Sequence, residues 1–147
     1  MKTKFSYNSI HHCEAVVLTC IDFRFWRETL EFIEEDLGIK TFDFPSLPGS
    51  AKAINECLTD TDLAMRCIGV PCELHEAKKI VIVNHEDCGA YGGSSKFGTR
   101  EEEQAFHEEE LKKAKEKILA KYPNREVVLV YAKLTDNKEN IEFVKIG

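Results

Sequence analysis

The sequence predicts a three-layer α/β fold around a mainly parallel sheet of about four or five strands, the last of them at an edge. Two observations predict it. Short runs of apolar and β-branched residues, at Ala15–Thr19, Ile80–Asn84 and Glu126–Lys133, read as strands, and the first two are apolar enough to be buried on both faces. Stretches with helical spacing separate them, most plainly Phe25–Leu37 and Arg100–Tyr122. Strand–helix alternation of this kind builds parallel pairs through right-handed crossovers, with helices covering the sheet. A chain of 147 residues fits one domain over 1-147.

Residues 1–14 are polar and read as an N-terminal arm or cap. His11, His12 and Cys13 lie together there. Successive side chains of an extended segment point to opposite faces, so the run by itself makes a poor metal site. Ala15–Thr19 is the first strand. In the helix Phe25–Leu37, Trp26, Leu30, Ile33 and Leu37 recur as one apolar stripe, and Gly38 suits the residue just past its end. Thr41–Phe44 is a short second strand. Pro45 to Ala51 is rich in turn residues and reads as a loop.

Ala51–Leu58 and Asp62–Ile68 read as one irregular helix or two, with Pro71 opening a further turn through His75. Cys57, Cys67 and Cys72 sit among apolar neighbours as small core residues, and His75 reads as a surface or capping histidine. Ile80–Asn84 is the next buried strand. Gly89, Gly92, Gly93 and Gly98 make the following segment pliable, and it lacks the ending of a Walker A loop. The long charged helix Arg100–Tyr122 has Leu111, Ala114, Ile118 and Tyr122 as its inner face, with His107 solvated. Pro123-Asn124 ends it, Glu126–Lys133 follows as a strand, and Ile141–Ile146 returns past a turn as an edge strand.

Two stretches carry the chemistry: Cys20-Ile-Asp22-Phe-Arg24 and His85-Glu-Asp-Cys88-Gly89. Each follows an apolar strand, and parallel sheets place their sites beyond the carboxyl ends of strands. Two thiols and an imidazole form a borderline-soft donor set suited to Zn²⁺. Three such ligands leave a fourth position for water, substrate or a carboxylate, with Asp22 the nearest candidate. The competing reading is two core cysteines and a satisfied histidine. Asp22 and Arg24 weigh against it, since an acid and a base beside a strand-end cysteine are costly to bury unless paired.

These two motifs, in this order and each after a strand, resemble the zinc signature of the β-class carbonic anhydrases. The resemblance runs from about Val16 to the last strand. It implies zinc held by Cys20, His85 and Cys88, with Asp22 and Arg24 as a paired dyad and Asp22 as a fourth ligand in a closed state. It implies reversible hydration of carbon dioxide to bicarbonate by zinc-bound hydroxide, and a homodimer or an assembly of dimers. The family lines its site with a glycine-containing loop that typically carries arginine and asparagine. This sequence has Leu47-Pro48-Gly49-Ser50-Ala51 there, leaving backbone N–H groups and a more apolar surface. Two alternatives stay open at this point: a hydrolase for carbonyl sulfide or carbon disulfide on the same scaffold, and a non-catalytic protein whose zinc shell is closed by Asp22 or Cys13.

Composition bounds the partners. A formal charge of -6 argues against general nucleic-acid binding. No run of eighteen apolar residues reads as a membrane span, and the first residues lack the apolar stretch of a signal peptide. Six cysteines then read as thiols and ligands in a cytoplasmic chain.

Overall fold

Alternation along β1 (Ala15–Leu18) sends Val16 and Leu18 to one face of a sheet and Ala15 and Val17 to the other, and all four are fully buried. A strand buried on both faces needs cover on both. In the computed structural model, which describes residues 1–147, the cover on one side is α2 (Ala51–Asn55), α3 (Leu63–Leu74) and α4 (Arg100–Lys121). Ile54, Met65, Ile68, Leu111 and Ile118 pack there against Val16, Leu18 and, from β3 (Lys79–His85), Ile80 and Ile82. The other side is covered by α1 (Trp26–Glu31) and the π-helical turn Phe32–Asp36 that continues it. Each large aliphatic side chain so buried contributes about 1.5–3 kcal/mol relative to exposure.

The sheet has five strands in the order β2-β1-β3-β4-β5, adding β2 (Phe42–Asp43), β4 (Glu126–Leu134) and β5 (Ile141–Ile146). All neighbours are parallel except β4 and β5, so β5 is the antiparallel edge the sequence predicts. Register pairs Val16 with Ile80 and Ile80 with Val127, so β1, β3 and β4 run level at the sheet centre.

The structure corrects the sequence reading at several elements. Phe25–Leu37 is not a regular helix with a Trp26 stripe inside. Leu37 N–H donates to Phe32 O at 3.1 Å, a five-residue step that widens the last turn. The buried face becomes Phe25, Thr29, Phe32 and Ile33, while Trp26 is exposed. Phe32 stacks on Phe143 of β5 at 4.5 Å between ring centroids, anchoring that face. The second strand is two residues long, with Thr19 and Ser46 continuing the pairing as an isolated bridge. Pro71 lies inside α3, one turn from its end, where a single missing N–H interrupts only one bond of the ladder.

His107 is the clearest departure: it is fully buried, not solvated. Asn84 explains this. Its Oδ1 accepts from Ala51 N–H at 3.1 Å, so its Nδ2 is the donor toward His107 Nδ1 at 3.0 Å. That bond holds the ring in its neutral form with the proton on Nε2, and burial pushes its pKa down to about 4.

Candidate metal centre

β1 and β3 are adjacent and parallel, so their carboxyl ends lie side by side. Cys20 stands two residues past β1, and His85 is the last residue of β3. After His85 the chain turns sharply through Asp87, whose φ of 58 is left-handed, and brings Cys88 back over the strand end. A short helical turn, Gly89–Tyr91, then begins. The outcome is a buried trio: Cys20 Sγ and Cys88 Sγ are 3.9 Å apart, and one donor atom from each of Cys20, His85 and Cys88 lies within 4.8 Å of the others.

His85 is oriented from two sides. Its Nδ1 donates to the carbonyl oxygen of Glu86 at 2.7 Å, and its ring stacks on Phe25 with centroids 4.1 Å apart. A backbone carbonyl only accepts, so Nδ1 carries the proton and Nε2 the lone pair. Nε2 is buried and has no hydrogen-bond partner. A buried lone pair left unpaired is costly, and here it faces two thiols.

Charge at the sulfurs is supported by main-chain donors. The Cys20 thiol is held well below its ordinary range, because Cys88 donates to its sulfur and the amides of Gly49 and Asp22 add to this against the cost of burial. Cys88 is raised in turn, because it is the donor to Cys20 and is itself buried. The amides of Ala90 and Tyr91 point at the Cys88 sulfur. Gly49 owes its place to backbone shape: φ is +78, and a Cβ there would come within 2.8 Å of Lys52 Cβ. The loop that lacks arginine and asparagine thus supplies a main-chain N–H to a sulfur instead.

Beside the trio, Arg24 grips Asp22. Arg24 Nε donates to Oδ1 at 3.0 Å and Nη2 to Oδ2 at 2.6 Å. This holds the Asp22 carboxyl below the usual carboxylate range. Arg24 also reaches the second motif, with Nη1 donating to Asp87 Oδ2 at 3.1 Å and Nη2 to Asp87 O at 3.0 Å. Asp87 is fixed further by Ser94 N–H, which donates to its Oδ1 at 2.9 Å, and by buried Glu103, whose Oε2 accepts from Asp87 N–H at 3.0 Å. The sequence reading passed over Asp87 and Glu103. Asp87 had a signal, lying inside the second motif; Glu103, on the charged helix α4, had none.

Asp22 Oδ2 is 3.8 Å from His85 Nε2, too far for a hydrogen bond. Asp22 is therefore next to the trio and held by Arg24. Cys13 precedes β1 and cannot reach the cluster: it is seven residues from Cys20 along an extended chain, roughly 20 Å away. Tyr91 packs against Cys20 and Cys88 from within.

The donor set fits a metal ion. Two thiolates bound at about 2.3 Å to a tetrahedral centre are about 3.8 Å apart, and the observed separation is 3.9 Å. The unpaired Nε2 supplies a third donor of the chemistry Zn²⁺ takes. The trio can hold a metal ion, and it borders an open cavity of about 890 Å³ whose rim includes Ile21, Phe23, Pro48 and Ala90.

Residues 10–145 match the model of a protein family described as "Putative carbonic anhydrase". An uncharacterized protein of Rickettsia conorii is 34% identical over 125 residues, 81% of this chain and 67% of the relative. One of Rickettsia bellii is 32% identical over 125 residues, 81% of this chain and 76% of the relative. Among solved structures, the β-carbonic anhydrase isoform I of Trichomonas vaginalis matches with a TM-score of 0.60 at 15% identity, covering 97% of this chain and 87% of that one. The β-carbonic anhydrase of Aspergillus fumigatus matches with a TM-score of 0.54 at 15% identity, covering 93% and 77%. At these identities the solved structures establish the fold.

Proposed function

The chain belongs to a β-carbonic anhydrase-like family, and from that premise we propose that it is a zinc-dependent enzyme that hydrates carbon dioxide reversibly to bicarbonate and a proton. One observation carries the reading: His85 Nε2 is buried, unpaired and turned toward two thiols whose spacing suits one ion. Cys20, His85 and Cys88 would hold the zinc. When bound, zinc acts as a Lewis acid that brings the ionisation of water toward about pH 7.

The chain's own residues do the rest. Gly49, Asp22, Ala90 and Tyr91 aim amide N–H groups at the two sulfurs and stabilise their charge. The Glu86 carbonyl and Phe25 hold the His85 ring so that Nε2 stays the donor nitrogen. Asp22, kept ionised by Arg24, accepts a hydrogen bond from the attacking water and turns its lone pair toward carbon. Arg24, itself braced by Asp87, stops Asp22 from swinging into the ligand sphere. Ile21, Phe23, Pro48 and Ala90 offer an uncharged surface to an uncharged, apolar substrate.

The proposal extends to assembly and setting. Ile21 and Phe23 are 56% and 82% exposed beside the site, and Trp26 is exposed on α1. Large apolar groups clustered at a site mouth suit a homodimer interface. The unpaired cysteines suit a reducing, cytoplasmic setting. No helix is long and apolar enough to cross a membrane.

The test is metal analysis together with a carbon dioxide hydration assay on protein purified without added metal. Zinc bound at the trio and catalysed hydration, both lost in Cys88→Ala, are expected. Zinc-loaded protein without hydration contradicts the activity, and folded protein that takes up no zinc contradicts the centre.

A further inference from the structure

At the opposite end of the sheet, Cys13, Asp43 and His75 bring a thiol, a carboxylate and an imidazole together, with donor atoms within 4.8 Å of one another. His75 Nδ1 is 2.6 Å from Asp43 Oδ2, and Cys13 Sγ is 3.9 Å from the same oxygen. Main-chain bonds hold these residues in place. Cys13 N–H donates to His75 O at 3.0 Å, which ties the segment before β1 to the end of α3. Glu14 N–H donates to Thr41 O at 3.0 Å, and the Val16–Asp43 register brings β2 alongside. Three elements thus deliver one donor each, on backbone that is already paired.

We propose that Cys13, Asp43 and His75 form a second transition-metal site, of the Zn²⁺ class, separate from the Cys20–His85–Cys88 centre. The donor chemistry supports the metal class: one thiolate, one imidazole and one carboxylate are all zinc ligands. The side chains of His75 and Asp43 are about one third exposed, and a cavity of about 410 Å³ opens beside both, so an ion has a path in. The Cys13 thiol proton leaves to solvent as the ion enters, and the His75 proton moves from Nδ1 to Nε2 so that Nδ1 is free to bind. The 2.6 Å gap then widens toward the roughly 3.3 Å expected between two donors on one tetrahedral ion. His11 lies edge-on to His75 with ring centroids 5.2 Å apart, outside the group of close donors. Occupancy would pin the N-terminal segment to the β2 edge.

His11, His12 and Cys13 are not a site as a run. Cys13 reaches its partners across the fold, and His12 Nε2 instead lies 3.5 Å from Glu76 Oε2.

The experiment is competition titration with Zn²⁺ against a chromophoric chelator, using the full chain. Wild type is expected to take up two equivalents per chain, Cys13→Ser and His75→Ala one, and Cys88→Ala to keep the equivalent that Cys13→Ser loses. Proton release in weak buffer should accompany that equivalent and vanish in Cys13→Ser. Asp43→Asn serves as the second variant should Cys13→Ser unfold by circular dichroism. One equivalent that survives Cys88→Ala and disappears in Cys13→Ser supports this site and removes the first. A single equivalent insensitive to Cys13→Ser, His75→Ala and Asp43→Asn overturns it.

Discussion

Arg24 closes on Asp22 with its guanidinium edge, Nε to Oδ1 at 3.0 Å and Nη2 to Oδ2 at 2.6 Å. A two-point grip of this kind fixes direction as well as charge. Its consequence is positional: the carboxylate stands 3.8 Å from His85 Nε2 without joining the buried trio. Arg24→Ala should release it. Zinc content is expected to hold while hydration falls by about tenfold or more, in line with loss of a positioned proton acceptor. Unchanged hydration in Arg24→Ala would show that the grip has no bearing on turnover.

Gly49→Ala tests the loop. The positive φ and the 2.8 Å approach to Lys52 Cβ leave no room for a side chain. A cost of about 1–3 kcal/mol in urea denaturation is expected, with weaker zinc retention because the amide at Cys20 shifts. A variant as stable as wild type would contradict the strain argument.

His107 gives the chain a pH dependence of its own. Its pKa is about 4 folded against 6.5 unfolded, so the unfolded state binds more protons between those values. The native state keeps its full margin above pH 6.5 and loses it as pH falls toward 4. The loss from this group is on the order of 3 kcal/mol. Denaturation midpoints at pH 7 and pH 4.5 should therefore differ less in His107→Gln than in wild type. Parallel pH dependence in both proteins would remove His107 as the cause.

The motifs and strands were legible because their signals are local. Cys20, His85 and Cys88 each follow or end an apolar strand, and parallel neighbours put them together. The π-helical turn was not legible, because it answers to Phe32 meeting Phe143 over a hundred residues away. His107 and Glu103 sit in a helix whose composition reads as solvated, and their burial depends on Asn84, Asp87 and Ser94 across the fold. The N–H groups at the sulfurs are main-chain atoms and leave no residue signature beyond Gly49. Cys13 and His75 read as bland because their meeting depends on how β1, β2 and α3 pack.

Ile21→Asp with Phe23→Asp tests the proposed homodimer. Two charges placed on the exposed apolar rim should convert a sedimenting dimer into a monomer at micromolar concentration. A wild-type protein that already sediments as a monomer with full activity would contradict the interface.

The most direct measurement is stopped-flow carbon dioxide hydration across pH for wild type and Asp22→Asn, with zinc measured in the same samples. The proposal expects zinc in both proteins, hydration in wild type, and a large loss of rate in Asp22→Asn. Zinc-loaded wild type that hydrates no carbon dioxide at any pH would contradict it.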